Sequence, residues 1–230
     1  MNARNLWRMV GLATVGVFFT GCATTKPFDY SNFRQHRPRS ILVLPPLNNG
    51  TDVRGTYGYL STVTQPLAEM GYYVFPVAIV DQFLKENGLP GPGEMHQAPL
   101  DKLASIFGTD AVMYITLDAY GTKFHLLSSD VTVTAKAKLI DAKTALLLWE
   151  GWGTARQASG GGGGGLLGTL VQAAVSQAIN SSADTAHPVS KATNIFLFTG
   201  RQPFGSTSAP GAGGPALLAG PYRPEVATSQ

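Results

Sequence analysis

Nine consecutive residues, Val131–Leu139, alternate between an apolar or small side chain and a polar one. Val131, Val133, Ala135, Ala137 and Leu139 fall on one parity; Thr132, Thr134, Lys136 and Lys138 fall on the other. Because successive side chains of a strand point to opposite faces, this pattern fits a sheet with one packed face and one wet face. The turn-forming stretch Asp141–Thr144 follows, and Ala145–Arg156 (ALLLWEGWGTAR) reads as the hairpin partner. Ala111–Tyr120 precedes it as a further strand with a natural extension to Phe124. The second half of the chain is therefore an antiparallel meander.

The first half has a different grain. Arg39–Asn49 (RSILVLPPLNN) is a continuous β-branched and leucine run stopped by Pro45 and Pro46, as for a strand buried on both faces. Thr56–Met70 has helical spacing, with Pro66 predicted to kink it and Gly71 to stop it. Tyr72–Val77 (YYVFPV) is a short strand. Ala78–Asn87 is a helix with Ile79, Val80, Phe83 and Leu84 on one side. Residues 88–97 are rich in breakers and read as loop, and Leu100–Phe107 is a helix capped by Gly108. After the meander, Ser159–Gly165 is loop, Leu166–Asn180 an amphipathic helix, and Pro188–Phe198 an element helical by preference. The order implies one α/β domain with a mixed sheet: helix-linked strands, then an antiparallel meander, with helices packed on the sheet. A hydrophobic content of 44% fits one globular domain with flexible ends.

Cys22 is the only cysteine, so it has no intramolecular disulfide partner and is too little for a thiolate metal site. A buried small side chain, a reactive thiol and a modification site remain. The upstream residues choose among them. Arg4 and Arg8 precede the apolar run Met9–Phe19, about half the length needed to span a bilayer, as in a secretory signal peptide. Thr20-Gly21-Cys22 resembles the lipobox of bacterial lipoproteins, although Phe19 departs from the usual leucine. That resemblance implies cleavage before Cys22, diacylglycerol on its sulfur and acylation of its amino group. Ala23, where an aspartate retains lipoproteins in the inner membrane, implies the outer membrane. The alternative is an uncleaved anchor with an incidental cysteine. The expected organisation is a signal peptide over residues 1–21, a lipidated tether over 22–36, a periplasmic domain over 37–199 and a disordered Pro/Gly-rich tail over 200–230.

Cleavage would remove Arg4 and Arg8 from the 17 basic residues, leaving 15 against 14 acidic ones. A near-neutral chain without a basic, aromatic-interleaved run excludes a nucleic-acid footprint. Arg34, Arg37 and Arg39 read as charges on a solvated tether beside the anchor. The glycine run at 160–165 satisfies a dinucleotide fingerprint trivially, as any six glycines do, and no Lys-Ser/Thr follows it. His36, His96, His125 and His187 share no metal-ligand spacing. Asp81, Glu86, Asp101 and Asp110 read as helix charges, and no G-x-S-x-G elbow occurs. No catalytic, metal or cofactor residue is assigned; the one site residue is Cys22, as a lipid acceptor. Trp149 and Trp152 have opposite parity in one strand, so one of them faces outward, an interface signal.

Four segments, RSILVLPPLNN, LAEMGYYVFPVAIVDQFLKENGL, IFGTDAVMYITLDAYGTKF and TAKAKLIDAKTALLLWEG, resemble a family of bacterial outer-membrane lipoproteins of unknown function. The family is typified by a neisserial genome-derived antigen, and the match runs from about Phe28 to Ile195. The resemblance implies a fold similar to the TolB amino-terminal domain and to the periplasmic domain of the curli-secretion channel. It also implies a role in an envelope assembly, with a curli-channel-like lipoprotein as a candidate partner, and supplies no catalytic residue. Three functions are consistent with this reading: a non-enzymatic lipid-anchored docking module, a pore subunit inserting the Val131–Arg156 hairpin, and a cell-wall enzyme. The stripe on Leu166–Asn180 is a candidate homodimer contact.

Overall fold

A computed structural model describes residues 27–124, 129–159, 185–201 and 213–223. The alternating segment lies within the central strand of the meander: β4 (Ala111–Phe124), β5 (Ser129–Asp141) and β6 (Leu147–Ser159) pair antiparallel in sequence order. Val133, Ala135 and Leu139 are fully buried, whereas Lys136 and Lys138 are exposed, as the pattern requires. On its other side β4 pairs parallel with β1 (Ser40–Val43) and β2 (Leu47–Asn48), and β1 pairs parallel with the edge strand β3 (Tyr73–Val74). The result is the expected mixed sheet of six strands, open at its edges. Pro45 and Pro46 interrupt one extended run, splitting it into β1 and β2 along the same flank of β4.

Ile41 and Val43 point into one core, Leu42 and Leu44 into another, and all four have no exposed surface. The first core holds α1 (Ser31–His36), α2 (Gly55–Leu60), α3 (Thr64–Glu69) and α7 (Ala186–Thr199) against the whole width of the sheet. The second holds α4 (Val77–Glu86), α5 (Pro92–His96) and α6 (Leu100–Phe107) against only β1 and the first residues of β4. Gly153 lets α7 lie close on β6, because a methyl group there would meet the Leu197 backbone at 3.2 Å.

Four sequence expectations are corrected. The helix expected over Thr56–Met70 is two helices broken at residues 61–63, upstream of Pro66. A proline ring obstructs the carbonyl four residues back, here Thr62, which lies in the break. The segment 88–97 contains α5, started by Pro92 in the first turn, where a missing N–H is harmless. Residues 27–36, expected to be tether, are part of the domain: Phe33 is buried, Asn32 donates to the Leu147 carbonyl, and His36 Nδ1 lies 3.0 Å from Asp141.

The fourth correction concerns the tail. Residues 213–223 form a strap docked across the first core. Gly213 bridges Gly153, the Gly214 amide donates to the Trp152 carbonyl at 2.7 Å, and Leu217 is buried. The Trp149 indole donates to the Pro215 carbonyl at 2.9 Å, and the Tyr30 and Tyr72 hydroxyls donate to the carbonyls of Ala216 and Leu218. The strap needs no periodicity because side chains of the domain grip its backbone. Gly71, at φ +91°, marks its far end; a methyl group there would lie 2.1 Å from the Arg223 amide nitrogen.

Candidate interaction surfaces

Cys22, the glycine run, the Leu166–Asn180 helix and His125 lie outside the described residues. Among the described residues no cluster of His, Cys, Asp or Glu is arranged to hold a metal ion, and no helix is long and apolar enough to cross a membrane. The carboxylates read as helix charges do local work. Asp81 pairs with Lys85 at 2.7 Å along α4, and Asp110 accepts the Arg39 and Ser40 amides that lead into β1. The apolar face of the β5–β6 hairpin, expected in the pore reading to meet lipid, is packed against α7. Thr193 on that helix lies against the Val133 carbonyl, and Leu197 lies against Gly153.

Two surfaces stand uncovered by the described residues. The first is the β3 edge. Tyr73 and Phe75 turn their amides toward β1, donating to Arg39 and Ile41, so the Val74 backbone between them faces outward. Tyr73, Phe75, Phe107 and Phe83 form an edge-to-face ladder with successive ring centroids 5.1, 6.0 and 5.3 Å apart. The apolar stripe expected on α4 is wider than the core it serves. Val80 and Leu84 are buried, Phe83 is half-buried, and Ile79 is 63% exposed one turn before Phe83. Tyr73, the outer ring of the ladder, is 53% exposed, and Ile106, next to Phe107 in the chain, is 54% exposed. Sequence reading placed Ile79 on the apolar side of this helix, and a helical stripe does not say how much of its width the neighbours cover.

The second surface is the polar face of the meander, which no described helix covers. Strand register lays it out in rows: Tyr114, Lys138 and Glu150; then Thr116, Lys136 and Trp152. Beyond them, Thr134 and Thr154 share a hydroxyl–hydroxyl contact of 3.1 Å, and Asp118, beside a bulge in β4, pairs with Lys136 at 2.7 Å. Trp149 is fully buried and Trp152 is 45% exposed, as their parity demands. The face is a concavity of about 460 Å³. Tyr114 forms its wall, held edge-on by His96 at 5.4 Å, and the His96 Nε2–H donates to the Pro45 carbonyl at 2.9 Å. Burial holds the His96 imidazole below its usual range, against the raising effect of that hydrogen bond, and burial raises the Tyr114 hydroxyl.

The architecture is one α/β domain with a mixed open sheet, polar on one half-face and apolar at one edge. The family model described as "Putative lipoprotein GNA1162-like" matches residues 28–210, and the chain belongs to that family. The curated relative "Putative lipoprotein NMB1124/NMB1162" of Neisseria meningitidis serogroup B is 45% identical over 193 residues, 83% of this chain and 89% of the relative. The crystal structure of lipoprotein GNA1162 from Neisseria meningitidis matches with a TM-score of 0.52 at 48% identity, covering 63% of this chain and all of that one. A PelC dodecamer from Paraburkholderia phytofirmans matches at a TM-score of 0.38 and 13% identity, over 60% of this chain and 82% of that one.

Proposed function

We propose that this protein is a non-enzymatic docking module of an envelope secretion or assembly complex, anchored by lipid on Cys22 to the periplasmic face of the outer membrane. Membership in a lipoprotein family supports the anchor, and two or more acyl chains on one residue give stable attachment, since each buried methylene contributes about 0.8 kcal/mol. The observation that carries the docking role is the aromatic β3 edge. Apolar and aromatic side chains left outside a core, beside a strand edge that no described strand pairs, are the composition of a protein–protein contact. The occupant is another envelope protein, with the curli-channel-like lipoprotein implied by the family resemblance as the first candidate.

Site-specific photocrosslinking in cells tests this. A photoreactive residue at Ile79 or Ile106 gives a discrete adduct with an envelope protein, and one at the exposed turn residue Lys143 gives none. Equal labelling from all three positions, or none from the edge, would sink the docking role.

A further inference from the structure

We propose that the polar half-face of β4–β6 binds a glycan strand of the cell wall, with Trp152 as the stacking platform. Choosing wall glycan as the source rests on the envelope location given above; the recognition of sugar rests on this face alone. Four observations support sugar as the occupant.

First, the charges are matched in place. Asp118 and Lys136 form an ion pair, and Lys138 stands between Tyr114 and Glu150 in the register. A face whose charges are balanced internally has little to offer a strongly charged partner. It can still donate to and accept from the hydroxyls and amides of a neutral chain. Second, the apolar content is aromatic and sparse, in contrast to the β3 edge. The C–H bonds of a pyranose ring carry slight positive charge and pack on the negative face of an indole. Third, the indole is held in place. The strap passes so close that a methyl group on Gly214 would meet the Trp152 ring at 2.6 Å, while the Gly214 amide fixes the Trp152 carbonyl. Only glycine fits there, so the strap both closes the core and orients the platform. Fourth, the neighbouring concavity of about 180 Å³ is lined by Asn49, Asp118 and Thr132, and the buried Thr132 hydroxyl has no protein partner. A buried hydroxyl without a partner carries a desolvation cost that a hydroxylated occupant or a water it holds would relieve.

The mature lipidated protein in detergent is titrated with the N-acetylglucosamine oligomer chitotetraose and, separately, sedimented with purified peptidoglycan sacculi. Once Trp7 leaves with the signal peptide, Trp149 and Trp152 are the remaining tryptophans, and only Trp152 is exposed. A change in emission on adding the oligomer therefore reports chiefly on Trp152, over a constant contribution from Trp149. We expect saturable spectral change with the oligomer and co-sedimentation with sacculi; oligomer affinity, read by titration calorimetry because the substitutions remove the fluorescent reporter, and sacculus binding are both weakened at least tenfold by Trp152→Ala and less by Trp152→Phe. Gly214→Ala, which keeps the indole but moves it, weakens both as well. Failure of the wild type in either arm, or binding indifferent to Trp152→Ala, overturns the proposal. Crosslinking from Ile79 in the Trp152→Ala background separates the two readings: it persists if the protein-docking edge is sound, whatever becomes of the glycan.

Discussion

Replacing Gly71 by alanine tests whether the strap is an integral part of the fold. Two costs arise at this position. A left-handed φ of +91° costs an L-residue about 1–2 kcal/mol. In addition, the new methyl group would sit 2.1 Å from the Arg223 amide nitrogen and must push the strap away. The hydrogen bonds nearest the collision are Gly220 N–H to the Met70 carbonyl, Tyr222 N–H to the Gly71 carbonyl, and the Tyr72 hydroxyl to the Leu218 carbonyl. At about 1 kcal/mol each they set a scale of about 3 kcal/mol, reduced by the entropy the freed residues regain. Gly88 supplies the control. Its φ is +85° and a methyl group there would meet nothing within 4 Å, so Gly88→Ala carries the conformational cost alone. Urea unfolding of the mature chain should show Gly71→Ala less stable than Gly88→Ala by about 1–3 kcal/mol. In a chain ending at Arg201, which lacks the strap, that excess should disappear, as a double-mutant cycle requires. Equal costs in the full chain, or an excess that survives truncation, would refute the assignment.

Further outcomes follow from burial and charge. Ala135→Asp places a carboxylate against α7 and should abolish folding, whereas Lys138→Gln on the opposite face should leave the urea midpoint within about 0.5 kcal/mol of wild type. Trp149→Phe removes the indole donor to Pro215 and should cost about 1–3 kcal/mol in the same assay. Stability should fall on acidification below the ordinary histidine value of about 6.5, because the unfolded chain takes up a proton there that buried His96 resists. A second loss follows at lower pH. Burial raises the Asp141 carboxyl, but the hydrogen bonds from Thr144 and Lys143 and the nearby His36 outweigh it, so its stabilisation is lost as pH falls through the depressed folded value. Melting temperature measured from pH 7 to pH 5 should drop for wild type and stay flatter for His96→Gln.

The meander was legible because its signal is local. A period of two over Val131–Leu139 specifies both the strand and which face is packed, and the parity of Trp149 and Trp152 correctly separated buried from exposed. The parallel strands were legible for a related reason: Ile41–Leu44 is apolar on both parities and is buried on both faces. The strap was not legible. Its anchor points are backbone carbonyls gripped by Tyr30, Tyr72 and Trp149, and a sequence pattern built on side chains carries no trace of them. The aromatic edge was hidden differently. Ile79 looks like core because periodicity reports which side of a helix is apolar, not where the sheet beneath it ends. The wet face was visible, but its chemistry was not, since register had to bring Thr116, Lys136 and Trp152 into one row.

The proposed lipid at Cys22 is tested most directly by intact mass analysis of the amino-terminal peptide from the membrane fraction. The predicted result is a peptide beginning at Cys22 whose mass exceeds its sequence by a diacylglycerol and a further acyl group, with Cys22→Ser leaving the protein unprocessed. A peptide beginning at Met1 with an unmodified sulfur would contradict the account.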